Sequence, residues 1–595
     1  MVPPGTLQTL RRLFRVMLPH RRTLVLTGAL AVVSQALGLV VPWLTGQVVD
    51  DAVTNHDHRR LWLLVGVIVV VGTVKAIVMV ARRLLAGNLS LDVEYDLRTS
   101  VYRHLLTLEQ HYHDDHQTGQ LLSRATADVT AIRVFLGYGL IFMTQYVALV
   151  AAVIALLIWT SPTLALASFV LAPLMVWMSA RYSRRSFPVL RDVQQRVADV
   201  TTQAEEAIVG VRVIKAFAQE DREVDRFRSR SEAVFHRQVD ATRLQSTYQP
   251  LLDLVPQLGV AIVLFAGGLA VANGSLTIGG FFQFNLYLGM LVMPLRMVGM
   301  WVGQVQRAVA SGSRVFELLD TEPTLHSPAQ PTPLPLGGGE VRLEGVRFGY
   351  DPERPILHEI DLELREGRTL ALIGRTGSGK STLAALIPRL YDVQAGRVLV
   401  DGVDVRELDL GELRRSVATV SQDTFLFSAS VRDNIAFARP EASDAEVEQA
   451  ARRAQAHDFV RALPKGYDTV IGERGLTLSG GQRQRIAIAR ALVADPRILI
   501  LDDATASVDA TTEARIRIAL REAMAGRTTL IIAHRLSTLA LADEIAVLDH
   551  GRVVSRGTHD EIVGNSPVYD EIWNHDAIVP TFIDLDGDRV AEQAT

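Results

Sequence analysis

The sequence predicts a multi-domain membrane protein, with an all-α transmembrane domain of six helices followed by an α/β domain built around a phosphate-binding loop. Three observations predict this fold class. The chain has 595 residues, too many for a single core. Its long apolar runs fall between residues 24 and 300. From Val341 onward, strand-like and helix-like segments alternate, with a Gly-rich loop between one strand and the next helix.

Six apolar runs are long enough to cross a bilayer, since a helical span needs about 20 mostly apolar residues. They are Leu24–Leu44, Leu61–Val80, Leu136–Trp159, Thr163–Ala180, Leu251–Ala272 and Ile278–Met300. Arginines precede the first run and follow the second and the fourth, at Arg11, Arg12, Arg15, Arg21, Arg22, Arg82, Arg83, Arg181, Arg184 and Arg185. By the positive-inside rule, these clusters and the N-terminus face the cytoplasm.

The second and fourth spans are followed by long charged segments, about 82–135 and 181–250, in which Gly and Pro are sparse. Such segments are expected to continue the helices into water. We expect turns that can touch the second domain at His116–Val129 and Gly210–Asp221. The polar stretch His111–His116 is expected to be solvated rather than to bind a metal.

Composition divides the chain into four parts and excludes several function classes. The predicted parts are a transmembrane domain (1–320), a Pro- and Gly-rich linker (321–340), the α/β domain (341–577) and a C-terminal tail (578–595). The net charge of −4 gives nucleic acid no overall basic character to bind. The absence of cysteine excludes disulfides, thiolate metal sites and thiol nucleophiles.

The Gly-rich loop fits the pattern of an ATP phosphate loop, G-x-x-x-x-G-K-[ST]. Its residues, with the first helical residue after them, are Gly374, Arg375, Thr376, Gly377, Ser378, Gly379, Lys380, Ser381 and Thr382. Glycines let backbone N–H groups surround phosphate oxygens, and the following helix N-terminus adds positive potential. Lys380 is expected to reach the β- and γ-phosphates, and Ser381 to bind Mg²⁺.

A second anion cradle lies at LSGGQ, whose residues are Leu478, Ser479, Gly480, Gly481 and Gln482. One nucleotide does not need two cradles, so we expect this one to close over ATP held by another subunit. About 20 residues later the strand ILILDD ends in Asp502, expected to hold Mg²⁺ through water, and Asp503. Asp503 stands where a general base for the attacking water is needed, and it is one methylene shorter than glutamate.

The phosphate loop, LSGGQ, ILILDD and IAHR (Ile532–Arg535) follow the six spans in this order. The chain thereby resembles a half-transporter of the ATP-binding cassette (ABC) exporter superfamily, over nearly all of its length up to about residue 577. The resemblance implies ATP-driven transport by alternating access, with ATP and Mg²⁺ bound. It also assigns further roles to Tyr350 (stacking on adenine), Gln422 (contacting Mg²⁺ and linking to the membrane helices), Ser479 and Gly481 (contacting the γ-phosphate across the dimer), His534 (switch histidine), GERG (Gly472–Gly475, exporter-specific loop) and Asp509 (joining the two ATP sites).

The aspartate at the catalytic glutamate position departs from the family pattern. In the family, this change beside an intact signature is typical of one half of a heterodimer. The implied partner is a second half-transporter, whose competent site this chain's LSGGQ would complete, while Asp503 leaves its own site degenerate. Three alternatives stay open: a homodimeric exporter that hydrolyses slowly, an importer of siderophores or lipids on an exporter fold, and an ATP-gated channel or regulator.

Three ionisable residues stand inside apolar runs, namely Lys75, Asp253 and Arg296. They are candidates for lining a substrate cavity, with snorkelling or helix pairing as the alternative. Gln145, Gln257, Gln283 and Asn285 could line the same cavity. Arg296 is hypothesised to contact an anionic or amphipathic substrate. Drugs, lipids or peptides are the expected substrates. The protein is expected to contact membrane lipid, and its composition favours a location in a bacterial inner membrane.

Overall fold

The protein is described by a computed structural model covering residues 6–54, 57–170, 172–472, 478–503, 510–533 and 535–577. The chain divides into two compact units. The first comprises Met1–Leu106 and Gly119–Thr321, and the second Thr107–Thr118 and Glu322–Thr595. The described part of the first is helical and that of the second is mostly α/β, so the predicted fold class is confirmed.

Long helices make up the first unit, and one short helix between them, α4, belongs to the second. The helices are α1 (Thr6–Met17), α2 (Arg21–Gln47), α3 (His58–Thr107), α4 (Gln110–Asp115), α5 (Thr118–Ser123), α6 (Val129–Val134), α7 (Leu140–Thr160), α8 (Pro162–Phe169), α9 (Ala172–Val209), α10 (Val211–Ala216), α11 (Glu220–Ala272) and α12 (Ile278–Asp320). A 3₁₀ turn at Leu18–His20 and π-helical segments at Val48–Thr54, Arg124–Asp128 and Phe135–Gly139 continue them.

Within the described residues, five continuous helical stretches are long and apolar enough to cross a membrane. They are Thr6–Asp51, His58–Thr107, Thr118–Thr160, Pro162–Val209 and Glu220–Ala272. The sixth predicted span corresponds to a shorter apolar stretch, Ile278–Pro294, at the start of α12. Tyr287 on α12 is 1% exposed and its hydroxyl donates to the Leu39 carbonyl of α2 at 2.8 Å.

The first predicted turn was placed too late in the sequence. Helix α3 ends at Thr107 and the chain turns around α4, whereas α5 and α6 already follow from Thr118. Leu121, Val129 and Ile132 are buried at helical spacing, which explains why this stretch folds as helix instead of turning. The second predicted turn, Gly210–Asp221, contains α10.

The stretch His111–His116 is exposed or half-buried, which agrees with the expected solvated polar stretch. It lies largely in α4, where the Tyr391 hydroxyl donates to the Asp114 carboxylate. Next to α4, the Glu109 carboxylate accepts a 2.9 Å hydrogen bond from the backbone N–H of Thr324. These two contacts explain why residues 107–118 pack with the α/β unit. The described residues contain no His, Asp and Glu group suited to a metal ion.

The described residues of the α/β unit form ten strands in two sheets. The strands are β1 (Val341–Phe348), β2 (Leu357–Leu364), β3 (Thr369–Ile373), β4 (Ala395–Val400), β5 (Val403–Asp404), β6 (Val417–Val420), β7 (Ile498–Asp502), β8 (Thr528–Ile532), β9 (Glu544–Asp549) and β10 (Arg552–Gly557). The smaller sheet has the order β2-β1-β4-β5 and is antiparallel. The larger has the order β10-β9-β3-β8-β7-β6, with parallel pairing from β9 to β6.

Helices surround these sheets and complete two hydrophobic cores. They are α13 (Lys380–Leu386), α14 (Leu410–Ser416), α15 (Val431–Ile435), α16 (Asp444–Arg453), α17 (His457–Arg461), α18 (Gly480–Ala494), α19 (Ala510–Met524), α20 (Leu536–Leu539), α21 (His559–Ile562) and α22 (Pro567–Ala577). Strands β3 and β7 are buried along almost their whole length, as expected for the centre of a parallel sheet.

Candidate nucleotide-binding site

The parallel register brings three predicted site segments to one end of the larger sheet. Ile532 at the end of β8 pairs with Leu372 of β3 on one side and Asp502 of β7 on the other. Val420 of β6 pairs with Leu501. The phosphate loop after β3, Asp502, and Gln422 two residues beyond β6 therefore share the carboxyl end of the sheet, where open α/β sheets bind their ligands.

The phosphate loop has the backbone shape that its glycines permit. Gly377 and Gly379 have φ values of 82° and 102°, in the left-handed region that favours glycine. A Cβ on Gly377 would meet no atom within 4 Å, so the loop is open on that side. The Ser378 hydroxyl is buried and has no hydrogen-bond partner in the part of the chain that the structure describes. An open loop with an unpartnered hydroxyl is suited to a phosphate oxygen.

Lys380 supplies the positive charge of the loop. It is 6% exposed, and its Nζ donates to the carbonyls of Gly374 at 2.8 Å and Arg375 at 3.0 Å. Burial lowers the pKa of Lys380 below its ordinary value of 10.5, while the charges of Asp502 and Asp503 oppose that shift. Arg375 instead forms a 2.5 Å ion pair with Glu571 of α22.

Asp503 lies just past the end of β7. Its backbone N–H donates to the Ile532 carbonyl at 3.0 Å, and its φ of 44° is left-handed, a conformation that aspartate tolerates better than most residues. The strand edge thus determines where the Asp503 side chain begins. Three other predicted residues or segments, Asp509, His534 and most of GERG, lie outside the described residues.

Tyr350, the predicted adenine-stacking residue, is 41% exposed. Its hydroxyl lies 3.2 Å from the Thr382 hydroxyl on α13. Its ring meets Tyr391 edge-on with centroids 5.3 Å apart, and Tyr391 lies 5.5 Å from Phe348. Because Tyr391 also donates to Asp114, the aromatic cluster joins the candidate adenine site to α4. Burial and Asp114 raise the pKa of Tyr391 well above its usual range, so it stays a donor.

The signature segment forms a standard helix cap. The Ser479 hydroxyl accepts from the Gln482 N–H at 3.3 Å, while the Gln482 side chain accepts from the Ser479 N–H at 2.9 Å. Leu478 is 7% exposed. The cap begins α18, whose N-terminal N–H groups and dipole favour an anion, as the sequence predicts for this segment.

Sequence reasoning missed how α18 holds the loop that carries Gln422. Gln422 is exposed, and side chains of α18 form hydrogen bonds with the residues that follow it. The Thr424 hydroxyl lies 2.5 Å from Oε1 of Gln484, and Arg490 donates to the Phe425 carbonyl at 3.2 Å. Arg490 also donates to the carbonyl and side-chain oxygens of Asn434, at 2.9 and 3.1 Å. The sequence signal for this arrangement was the presence of polar residues among the apolar ones along α18, on the side that the structure shows to be buried.

The three ionisable candidates in the membrane unit do not share one described site. Asp253 and Gln257 lie along an open groove on the surface of α11, beside polar residues of the same helix including Gln249. Lys75 instead lies against α2, where a Cβ on Gly38 would be 3.2 Å from its Nζ. The side chain of Arg296 lies outside the described residues.

The lowered pKa of Lys380 gives nucleotide affinity an expected pH dependence. Phosphate binds the ammonium form, so affinity should fall as pH rises through the lowered pKa, before the ordinary lysine range. Titration of a fluorescent ATP analogue over this range measures it. Lys380→Arg stays charged and should give a flat profile. A flat profile for the unmodified chain would contradict the role of Lys380.

Two families match the chain in succession. The family described as ABC transporter transmembrane region matches residues 24–295, and the family described as ABC transporter matches residues 357–506. Among solved structures, a bacterial Atm1-family ABC exporter with ATP bound aligns with a TM-score of 0.77. It is 30% identical and the alignment covers 94% of this chain and 98% of that one.

Two relatives illustrate the range of lengths. A multidrug efflux ATP-binding/permease protein of Mycobacterium tuberculosis is 40% identical over 561 residues, which cover 94% of this chain but 47% of that protein. The chain thus spans about half the length of that relative. An ATP-dependent lipid A-core flippase of Syntrophus aciditrophicus is 34% identical over 559 residues, covering 94% of this chain and 93% of the flippase.

Proposed function

The chain belongs to the ABC transporter family, and from that premise we propose that it is one half of an ATP-driven exporter paired with a second, unequal half-transporter. The observation that carries the proposal is the sheet edge at which the phosphate loop, Asp502 and Gln422 converge. ATP would bind between this edge and the signature segment of the partner. Closure of the two ATP-binding domains would then drive the membrane helices between their inward- and outward-facing arrangements.

The residues present also fit Mg²⁺. Ser381, Gln422 and Asp502 supply a hydroxyl, an amide and a carboxylate oxygen, the hard donors that this ion prefers. Bound there, Mg²⁺ would neutralise charge on the β- and γ-phosphates. This chain's own part is to wrap the phosphates with loop N–H groups, to place Lys380 against them and to hold the adenine on Tyr350.

Asp503 makes this chain's own site the degenerate one in the proposal. The strand edge determines where its side chain begins, and a missing methylene removes more than about 1 Å of reach. A general base must lie within hydrogen-bond distance of the water it activates. The intact Ser479–Gln482 cap would complete the partner's competent site. His534 and Asp509 keep the roles the family assigns them.

Coupling to the membrane helices would pass through α4. Asp114 on α4 accepts from Tyr391, and the Tyr391 ring contacts the Tyr350 ring that is proposed to stack on adenine. A shift of this part of the ATP-binding domain would therefore pull on α4. The turn containing α10 is the second proposed coupling point.

Two observations bear on partner and substrate. The mycobacterial relative is about twice the length that this chain covers, which leaves room for a second half-transporter in one polypeptide. The flippase, matched over nearly its full length, favours the second candidate function, a homodimeric lipid exporter. The proposed substrates are amphipathic drugs, lipids or peptides, and the proposed location is the bacterial plasma membrane, with the ATP-binding domain in the cytoplasm.

ATP turnover by the isolated chain tests the unequal-halves proposal. The purified full chain is expected to bind a fluorescent ATP analogue and to hydrolyse ATP very slowly, because the proposed base falls short. Adding a second half-transporter that carries glutamate at the position of Asp503 should restore hydrolysis. Brisk hydrolysis by the chain without a partner would overturn the degenerate site and favour the homodimer.

A further inference from the structure

The membrane unit buries an arginine that no described carboxylate neutralises. Arg82 is 4% exposed on α3, on the helix face that also buries Ala86 and Leu89, whereas its neighbour Arg83 is exposed. Within the part of the chain that the structure describes, its guanidinium makes one hydrogen bond, from Nη1 to Oε1 of Gln145 on α7 at 2.9 Å. Its Nε is buried and finds no acceptor there.

Burying a charged arginine costs desolvation free energy unless a partner or ligand offsets it. Arginine stays protonated in proteins, so burial cannot remove the charge. A neutral amide and an aromatic ring offset only part of the desolvation cost of a guanidinium. A buried guanidinium without a described counter-charge marks a candidate binding site, because a bound anion would offset its desolvation cost.

Aromatic side chains form walls beside the guanidinium. The Cζ of Arg82 lies 5.1 Å from the Phe142 ring centroid, and Phe142 stacks on Trp301 of α12 at 6.0 Å. Tyr146 lies 6.5 Å from Trp301. Among the described residues, the Trp301 Nε1 is a second buried donor without an acceptor, and Oε1 of Gln304, one turn later, also has no partner there. Phe142, Tyr146 and Trp301 are partly exposed, so the group reaches the surface of the unit.

We propose that this group, the Arg82 cluster (Arg82, Phe142, Gln145, Tyr146, Trp301 and Gln304), binds the carboxylate or phosphate of an amphipathic substrate; this rests on the proposed transport function. Arg82 and Trp301 offer N–H donors that need an acceptor, and a guanidinium matches a carboxylate or phosphate in geometry and charge. The aromatic faces cover the apolar body of the ligand. Such a ligand would accept hydrogen bonds from the Arg82 Nε and the Trp301 Nε1.

Binding of a matched pair of dyes tests the cluster. The full chain in detergent, without ATP, is titrated with rhodamine B, which carries a carboxylate, and with its ethyl ester, and fluorescence anisotropy reports binding. Arg82→Gln is expected to lower the affinity of the chain for rhodamine B by about 10-fold, because a hydrogen bond to a charged group is lost. The affinity for the ester should change by less than about 2-fold, since the neutral ester group makes no charged contact with Arg82.

Arg83→Gln is the matched control, since it removes the same charge from an exposed neighbouring position. It should leave both dyes unaffected. Equal effects of the two substitutions, or equal effects on the two dyes, would overturn the proposal. If Arg82→Gln does not fold, Arg82→Lys carries the test: it keeps the charge but loses the planar fork, so affinity for rhodamine B should still fall, and an unchanged affinity would overturn the proposal.

A competition experiment distinguishes the two possible ligands of Arg82, a lipid phosphate and the carboxylate of another compound. Displacement of rhodamine B by short-chain phosphatidic acid in the unmodified chain would identify a lipid headgroup as an occupant. Its absence would restrict the cluster to carboxylated compounds, and both results support an Arg82-dependent site. ATP-driven uptake of the same dyes into inside-out vesicles tests transport itself. Arg82-dependent binding without uptake would overturn the transport function alone, and uptake with Arg82-independent binding would overturn the cluster alone.

Discussion

Replacing Asp503 by glutamate is expected to raise ATP hydrolysis by the purified chain by about 100-fold, the lower end of what a well-placed general base contributes. The backbone N–H of Asp503 is bonded to the Ile532 carbonyl at 3.0 Å, so the longer side chain starts from the same point. The added methylene extends its reach by more than about 1 Å. Phosphate release at saturating ATP measures the gain, and ATP affinity should not change.

Asp503→Asn provides the matched control, because it removes the charge without changing the length. If Asp503 does not act as a base, this variant should hydrolyse ATP as slowly as the unmodified chain. A further loss of about 10-fold or more would show that the aspartate does act as a base, and the unequal-halves proposal would fail. Hydrolysis should also depend on chain concentration, since a complete site needs a signature segment from a second copy.

Replacing Arg490 by alanine is expected to destabilise the ATP-binding domain by about 3 kcal/mol. The substitution removes charged hydrogen bonds to three oxygens of the part-buried network, one on Phe425 and two on Asn434. It also removes the packing of the guanidinium over the Phe437 ring at 5.6 Å. For a domain of this size, that loss corresponds to a fall in Tm of roughly 6–12 °C.

Thermal unfolding of the full chain in detergent, followed with a fluorescent ATP analogue bound, measures the effect of Arg490→Ala. Arg452→Ala is the control, since Arg452 is an exposed arginine in an i, i+4 pair with Glu448 on α16. Exposed pairs of this kind contribute about 0.5 kcal/mol or less. Similar losses for both variants would contradict the anchoring role of Arg490.

Local sequence patterns predicted the phosphate loop and the signature segment, and the structure shows the glycine conformations of the first and the helix cap of the second. The phosphate loop depends on glycines within eight residues, and the signature cap depends on Ser479 and Gln482, three residues apart. These motifs require only neighbouring residues to adopt their backbone shape. The apolar runs likewise predicted the membrane helices, since length and hydropathy suffice for a span.

The same approach placed the first turn too late and did not find the contact between α4 and Tyr391. Asp114 finds its partner in Tyr391, 277 positions further along the chain, and no local pattern joins the two. Arg82 was interpreted only as part of a cytoplasmic arginine cluster, although its spacing from Ala86 and Leu89 indicated a buried face. Of the intramembrane candidates, Asp253 lies along an open groove on α11, whereas Lys75 lies against Gly38.

The sequence by itself determined the two-part architecture, the phosphate loop, the signature cap and the shortened carboxylate at Asp503, because each depends on composition or on residues within a few positions of one another. Only the tertiary structure decided which distant segments meet. The sheet register placed Asp502 level with the phosphate loop and with the strand before Gln422. Helix packing buried Arg82 beside Phe142 and Gln145 instead of leaving it in water like Arg83. Burial and hydrogen bonding between remote residues depend on how elements pack, and that information is spread over the whole chain.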